Sequence, residues 1–239
     1  MPKTTLYQAL KRSGLFSSKQ ELAKAVSKGL VELDGKVTRT LQFQFDPSKK
    51  KVIYDGKEVT EVSKKYYVIN KPVAYSCQRN DKYPNIVNLI DVKDRIKNSL
   101  FPIGRLDIPT TGLLIITNDG ELSKKLTDPK NKVEKNYWVL TKKQITEDQI
   151  NKLQQGVTIK VENKNYKTLP AKAKFLKPHE LELTITEGKY RQVRKMLEAV
   201  NNRVMALRRD SISNLKLKNY NISEGQWKEI EEKEIKKFI

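Results

Sequence analysis

The side chains best placed for chemistry in this chain lie in residues 101–120, FPIGRLDIPTTGLLIITNDG. Asp107 stands between Gly104 and a Pro-Thr-Thr-Gly turn, directly before an apolar run typical of a buried strand. Glycine allows tight or left-handed backbone, and Pro109 disfavours helix at the residue before it. We therefore expect Asp107 on a fixed loop at a sheet edge. With Arg105 nearby, its carboxylate is either a catalytic group or half of a structural ion pair.

A second cluster of polar side chains occupies residues 187–210. Its apolar residues recur at helical spacing and predict one buried stripe. That stripe comprises Val193, Met196, Leu197 and Val200. Arg194 flanks the stripe, so we expect it to be buried or half-buried beside a carboxylate. Arg191 and Lys195 lie on the opposite face of the helix and are either solvated or in contact with phosphate.

Few side chains are available for metal or histidine chemistry. The chain has one cysteine, Cys77, and one histidine, His179, which excludes an internal disulfide framework and the usual zinc sites. His179 lies in a polar turn, where a solvated histidine is more typical than a catalytic base. Tyr137, at the start of a predicted strand, either stacks on a base or packs in the core.

The charge of the chain indicates a polyanionic partner. Lys and Arg number 48 against 28 Asp and Glu, a net charge of +20, and RNA or DNA is the first candidate. An anionic membrane is the second, but the basic residues do not collect on one amphipathic helix. A lysine-rich proteome adds both signs of charge, so it explains the charged fraction better than the net charge. Because the sequence shows no secretory apolar core and no bilayer-length apolar run, we expect a soluble cytoplasmic protein.

The pattern of elements predicts two domains of the α+β class. In residues 1–60, Thr5 caps one helix, Ser18 and Glu21 have the capping-box spacing that opens a second, and two Asp-Gly turns predict hairpins. Residues 61–239 form a strand-rich domain. Its predicted strands cover residues 66–70, 112–117, 137–140, 171–176 and 181–186, and its helices cover 121–126 and the segment from Thr146 to 155. The first domain carries 12 Lys and Arg against 6 Asp and Glu, so both domains are basic.

Taken together, these residues resemble the RsuA-type pseudouridine synthases of ribosomal RNA over nearly the whole chain. Gly104-Arg105-Leu106-Asp107 resembles the loop that carries the family's nucleophilic aspartate, and residues 110–120 continue that motif. Glu134-Lys135-Asn136-Tyr137 resembles the segment with the active-site tyrosine. Residues 187–196 resemble a third motif whose last basic residue pairs with the aspartate. Residues 1–60 resemble the S4-like RNA-binding module of this group.

The resemblance implies a fold and a reaction. The fold is a small αβ RNA-binding module followed by a synthase domain with a mixed, largely antiparallel sheet flanked by helices. The reaction is isomerisation of uridine to pseudouridine within RNA, begun by covalent attack of Asp107. Tyr137 would stack on the flipped base, and Arg194 would pair with Asp107. This chemistry needs one nucleophile, with no metal and no cofactor.

The resemblance also implies how RNA is bound. Contacts with RNA are expected from Lys71, Arg105, Lys189, Arg191, Gln192, Lys195 and Arg209. We expect a monomer that acts on small-subunit ribosomal RNA, either naked or in a pre-ribosomal particle. The alternatives are large-subunit ribosomal RNA, and a non-catalytic RNA-binding or ribosome-assembly factor on the same fold. Ala74 departs from the family pattern, because glycine is common at this position.

Overall fold

The computed structural model describes residues 3–79 and 81–237. The chain divides into two compact units, Met1–Lys64 with Ile90–Phe101 and Lys65–Leu89 with Pro102–Ile239. We call them the N-terminal unit and the sheet unit.

The N-terminal unit consists of short helices and short strands. Its elements are β1 (Thr4–Thr5), α1 (Leu6–Arg12), α2 (Lys19–Ser27), β2 (Val31–Leu33), β3 (Lys36–Val37), β4 (Gln44–Phe45), β5 (Val52–Tyr54), β6 (Lys57–Glu58) and α3 (Asp94–Ser99). One antiparallel sheet has the order β3–β2–β5–β6, and β1 pairs with β4. Both predicted Asp-Gly hairpins are present, because Asp34 and Asp55 and the glycines after them have the positive φ that such turns need.

The first two helices begin where the sequence predicts. Thr5 accepts a hydrogen bond from the N–H of Gln8, and the Gln8 side chain accepts one from the N–H of Thr5. Ser18 accepts from the N–H of Glu21. The Glu21 carboxylate, however, accepts from the N–H and the hydroxyl of Ser17. The second capping box is therefore only half formed, because Ser17 offers the carboxylate two donors.

The segment Ile90–Phe101 packs with the N-terminal unit, although the sequence analysis placed it in the second domain. Arg95 donates from Nε to the carbonyl of Ser13 (2.9 Å) and from Nη2 to the carbonyl of Thr60 (2.6 Å). Gly14 has a φ of 67°, and a Cβ there would lie 1.7 Å from the Arg95 carbonyl oxygen. These contacts join distant parts of the chain, so the local sequence pattern does not reveal them. The separate roles of the two units stay a prediction.

The sheet unit contains most of the chain. Its elements are β7 (Tyr66–Lys71), β8 (Phe101–Pro102, at the boundary), β9 (Thr110–Thr117), α4 (Gly120–Thr127), β10 (Lys135–Thr141), α5 (Glu147–Gln155), β11 (Thr158–Val161), β12 (Lys164–Lys167), β13 (Lys172–Lys177), β14 (Glu180–Ile185), α6 (Gln192–Ala199), β15 (Val204–Ile212), β16 (Leu215–Lys216), β17 (Trp227–Ile230) and α7 (Glu232–Lys236). Short 3₁₀ helices cover Ile86–Leu89, Pro129–Asn131 and Leu217–Asn219.

The main sheet has the strand order β13–β14–β10–β15–β9–β7–β17. Along this order of described strands, neighbours are antiparallel except for the parallel pair β9 and β15. Buried residues run continuously through β7 and almost continuously through β9, so these strands are covered on both faces. The expected α+β class with a mixed, largely antiparallel sheet is confirmed.

The parallel pair depends on Gly112. Its φ is 104°, and a Cβ at this position would lie 2.3 Å from the carbonyl oxygen of Arg209. Any larger residue would therefore push β15 away from β9.

The turn from β9 into α4 is fixed by a buried carboxylate. Asp119 accepts from the N–H groups of Glu121 and Leu122, which caps the helix, and also accepts from the hydroxyl of Tyr66 (2.8 Å). The start of α4 is thereby held beside β7, the strand that carries Tyr66. Within the described ranges, no helix is both long and apolar enough to cross a membrane.

Candidate active site

The loop that carries Asp107 is braced by backbone hydrogen bonds. The N–H of Thr110 donates to the carbonyl of Asp107 (3.0 Å), and the N–H of Ala74 donates to the carbonyl of Ile108 (3.2 Å). Gly104 has a φ of 68°, which supports the prediction of a left-handed position before the aspartate. The loop leads directly into β9, a rigid strand, as expected from the sequence.

Lys71 holds the same loop from inside the protein. Its side chain is fully buried, and Nζ donates to the carbonyls of Pro72 (2.9 Å), Ile108 (3.3 Å) and Thr110 (3.0 Å). Burial lowers the pKa of Lys71, and the charge of Asp107 is among the groups that oppose this shift. The predicted contact of Lys71 with RNA is not found in this arrangement, because its donors are used by carbonyls and its ammonium does not reach solvent.

Cys77 contacts the loop on the other side of Asp107. Its Sγ accepts a hydrogen bond from the N–H of Leu106 (3.4 Å) and donates one to the carbonyl of Leu106 (3.5 Å). Burial raises the pKa of the Cys77 thiol, so the thiol is favoured over the thiolate. Cys77 and Lys71 together restrain the backbone before and after Asp107.

Arg194 of α6 faces Asp107. Its Nε lies 3.9 Å from Asp107 Oδ2, and its Nη2 donates to the carbonyl of Pro109 (3.2 Å) and the hydroxyl of Thr110 (3.4 Å). The arginine side chain is 10% exposed and the aspartate side chain 27%. Burial lowers the pKa of Arg194, and the charge of Asp107 opposes that effect. The predicted placement of Arg194, buried on the flank of the helix beside a carboxylate, agrees with the structure.

Tyr137, Arg209 and Gly112 form a row across three strands of the sheet. Tyr137 of β10 is the register partner of Arg209 of β15, and Arg209 is the partner of Gly112 of β9. Tyr137 is buried. Arg209, predicted to contact RNA, is 3% exposed and donates from Nε to the carbonyl of Leu113 (2.9 Å). Its buried Nη2 has no hydrogen-bond partner among the described residues.

A tight turn within the third motif leads into α6. Gln192 is buried, donates to the Glu187 carboxylate and accepts from the N–H of Lys189 (2.9 Å). Glu187 also accepts from the hydroxyl of Tyr166 on β12. Gln192 therefore braces the turn. We expected its side chain to contact RNA, but its amide is used within the turn. Arg191 has a φ of 53° and an exposed side chain.

Lys195 is not on an open face either. Its Nζ donates to the carbonyl of Lys160 on β11 (2.7 Å), so the lysine ties α6 to the β11–β12 hairpin. This contact was not expected, because no pattern in residues 158–167 predicts the hairpin.

The Asp107 loop, the start of α6 and the Tyr137–Arg209 pair line one cavity of about 610 Å³. It is lined by Asp107, Tyr137, Arg194 and Arg209 together with Arg105, Lys189 and Arg191. Its acidic lining residues are Asp81, Asp107, Asp128 and Glu187, and its basic lining residues are Arg105, Lys135, Lys189, Arg191, Arg194 and Arg209. Positive charge is therefore in excess around Asp107, which favours an anionic ligand.

Lys135 is a cavity residue that the sequence analysis did not include. Burial and the charge of Arg209 lower the pKa of Lys135 to about 8, and its Nζ donates to the carbonyl of Val133 (2.9 Å). A signal was present: Lys135 precedes Tyr137 by two residues on a strand, and side chains at that spacing share a face. Across the described residues, no cluster of His, Cys, Asp and Glu has the arrangement of a metal site.

Comparisons with known proteins agree on one family. The RNA pseudouridylate synthase model matches residues 65–199. The chain is 36% identical over 236 residues to an uncharacterized RNA pseudouridine synthase of Bacillus subtilis, covering 96% of both chains. It is 32% identical over 211 residues to ribosomal small subunit pseudouridine synthase A of Escherichia coli, covering 87% of this chain and 89% of that one. A crystal structure of a pseudouridylate synthase has a TM-score of 0.71 and 29% identity, covering 98% of this chain and 99% of the other.

The chain belongs to the RNA pseudouridylate synthase family. It is an RNA pseudouridine synthase of the RsuA type, an enzyme whose substrate is RNA, as its motifs predicted.

Proposed function

We propose that this enzyme isomerises a uridine of small-subunit ribosomal RNA to pseudouridine, with Asp107 as the nucleophile. The single observation that best supports this role is the Asp107–Arg194 pair in a cavity with excess positive charge. A carboxylate placed among these cations would repel phosphate in a protein that only binds RNA. It is useful in a protein that attacks the nucleotide after binding.

The proposed reaction is balanced without any other reactant. Asp107 attacks the nucleotide, the bond between uracil N1 and the ribose breaks, and the base turns within the site. A bond then forms between the ribose and a ring carbon of uracil. That carbon loses its proton, N1 gains one, and the carboxylate is released. No electron leaves or enters the substrate, so this step needs no redox group.

Tyr137 and the cavity supply the space and the surface for a flipped base. A duplex or stacked uridine is out of reach of Asp107, so the base must leave its stack at a cost of a few kcal/mol. Tyr137 is buried in the wall of the 610 Å³ cavity that Asp107 also lines, and an aromatic ring in that wall would stack on a base that enters the cavity.

Exposed cations around the cavity would hold the RNA backbone. Arg105, Lys189 and Arg191 are exposed and line the cavity. With a net charge of +20, binding should weaken steeply as salt is added. We further propose that the N-terminal unit contributes RNA affinity, and that the enzyme acts as a cytoplasmic monomer on naked rRNA or a pre-ribosomal particle.

The choice of small-subunit rRNA rests on similarity to relatives that bear that name. The test is to map pseudouridine across total rRNA from strains with and without the gene. We expect one small-subunit uridine to lose its modification in the deletion strain. Loss of a pseudouridine from large-subunit rRNA would show that this RNA is the substrate instead. If neither RNA lost a pseudouridine, the proposal would be refuted.

Complementation then tests the nucleophile. Asp107→Asn should restore no pseudouridine while its affinity for the RNA is retained. Asp128→Asn is the matched control, since Asp128 lines the same cavity but its Oδ1 accepts from the N–H of Lys130. Activity in Asp107→Asn equal to that of the control would rule out a nucleophilic role for Asp107.

A further inference from the structure

The proposed mechanism gives no role to Tyr190, an aromatic residue of the cavity. Tyr190 lines the cavity and is 63% exposed. An exposed aromatic residue alone needs no explanation. The surroundings of Tyr190, however, fix its position and charge environment.

The ring of Tyr190 is backed by an anchored cation. Lys195 Nζ lies 5.2 Å from the ring centroid and also donates to the carbonyl of Lys160 (2.7 Å). The lysine is therefore held by both contacts, with its charge over the ring. With 63% of the residue still exposed, the remaining ring surface is available to a ligand.

The backbone on both sides of Tyr190 is also restrained. The N–H of Lys189 donates to Gln192 Oε1 (2.9 Å), and Arg191 adopts a left-handed φ of 53° before α6 begins. Gln192 is buried. The ring thus stands on a rigid turn, which lowers the entropy cost of stacking a ligand against it.

The chemistry around the ring fits a nucleotide. Lys189 and Arg191 flank Tyr190 in sequence, and both side chains are exposed at the cavity. An open aromatic face next to two cations offers stacking for a base and charge for its phosphate. Because Asp107 lies in the same cavity, a base at Tyr190 belongs to a nucleotide close to the target uridine.

We propose that Tyr190 stacks on an unpaired nucleobase adjacent to the target uridine and keeps the strand open while the uridine is flipped. This inference rests on the proposed function and extends it. Tyr137 receives the reacting base, whereas Tyr190 holds a neighbouring base and contributes to substrate choice.

The test compares Tyr190→Ala and Tyr190→Phe in tritium release from small-subunit rRNA labelled on the uracil ring. Stacking on an aromatic side chain contributes enough that Tyr190→Ala should raise KM roughly 5- to 150-fold, with little change in kcat. Tyr190→Phe keeps the ring and should retain the wild-type KM. The control is Phe175→Ala, an exposed aromatic of β13 that is 51% exposed and is not among the residues that line the cavity.

Zero-length ultraviolet crosslinking supplies a readout that does not depend on turnover. We expect the Asp107→Asn protein to crosslink to the same rRNA through the peptide containing Tyr190, and this adduct to vanish in the double variant with Tyr190→Ala. A wild-type KM for Tyr190→Ala would overturn the stacking role and leave the proposed function intact. Equal KM increases in Tyr190→Phe and Tyr190→Ala would also overturn it. Failure of the wild-type enzyme to form pseudouridine would count against the proposed function, while the crosslink still reports on Tyr190.

Discussion

Arg194 faces Asp107 across 3.9 Å, and within the described part of the chain its Nε makes no hydrogen bond. The guanidinium instead uses Nη2 to hold Pro109 and Thr110 of the same loop. Arg194 therefore places a positive charge beside the Asp107 carboxylate and also holds the Asp107 loop in position. This single long contact leaves the oxygens of the Asp107 carboxylate available for attack on the substrate. Contacts of this kind often shorten when substrate binds.

Replacing Arg194 should damage the chemical step more than RNA binding. Arg194→Met removes the charge beside Asp107 and should lower kcat by roughly 10²- to 10³-fold. Arg194→Lys keeps the charge but cannot reproduce the planar fork, so we expect an intermediate loss. Single-turnover pseudouridine formation measures the effect, and filter binding should give an RNA Kd close to that of the wild type.

Arg208→Met is the matched control for Arg194. Arg208 is exposed on β15, pairs with Asp210 at 2.6 Å and is not a cavity residue. We expect it to retain wild-type kcat. If Arg194→Met turned over as fast as Arg208→Met, the electrostatic role of Arg194 would be lost.

Ala74 occupies a backbone conformation suited to glycine. Its φ is 63°, a region that costs an L-residue about 1–2 kcal/mol. Ala74→Gly should remove that strain, although the more flexible unfolded chain offsets part of the gain. We expect a net stabilisation of about 0.5–1 kcal/mol, measured as a higher melting temperature.

The same exchange in a helix provides the comparison for Ala74. Ala199 is an exposed residue at the end of α6, where glycine is less favourable than alanine by up to about 1 kcal/mol. Ala199→Gly should therefore lower the melting temperature while Ala74→Gly raises it. A decrease for both variants would show that the positive φ of Ala74 does not strain the fold.

The half-buried ammonium of Lys135 should make stability depend on pH. Its pKa is about 8 in the folded protein, against an ordinary value near 10.5. Below about pH 8 both states carry the proton and the burial penalty is constant. Between about pH 8 and pH 10 the unfolded chain binds more protons than the folded protein, so the wild type gains stability as pH rises.

A neutral variant isolates this contribution. Lys135→Met has no such titration, so its melting temperature relative to wild type should fall as pH is raised from about 7 to about 10. Tyr67, whose pKa burial raises to about 12, titrates in both proteins and cancels in the difference. Lys142→Met, at an exposed residue, is the control for the loss of a lysine charge. A flat difference for Lys135→Met would contradict a lowered pKa.

Local sequence signals predicted the starts of elements well. Thr5 and Thr146 each have the predicted role as the cap of a helix, since capping depends on residues three positions apart. The apolar stripe of α6 and the flank position of Arg194 also follow from helical periodicity. The pairing of Asp107 with Arg194 required the family resemblance, because no local pattern joins residues that distant.

Features set by long-range packing were missed. β15 runs between β9 and β10, yet its sequence of mixed polar and apolar residues gave no strand prediction. From the sequence, Lys71 was expected to be an exposed cation. Its burial is explained by the three carbonyls that accept its hydrogen bonds. The β11–β12 hairpin has mostly exposed residues and therefore lacks a clear apolar alternation.

The parallel pairing of β9 with β15 sets an order on folding during synthesis. The chain must make everything from α4 to α6 before β15 can join β9. Arg194 follows Asp107 by 87 residues, which corresponds to roughly 4–17 s of translation at typical bacterial rates. A ribosome-bound chain therefore displays the aspartate loop well before its partner exists. We therefore expect the nascent chain to form no pseudouridine until β15 has joined β9.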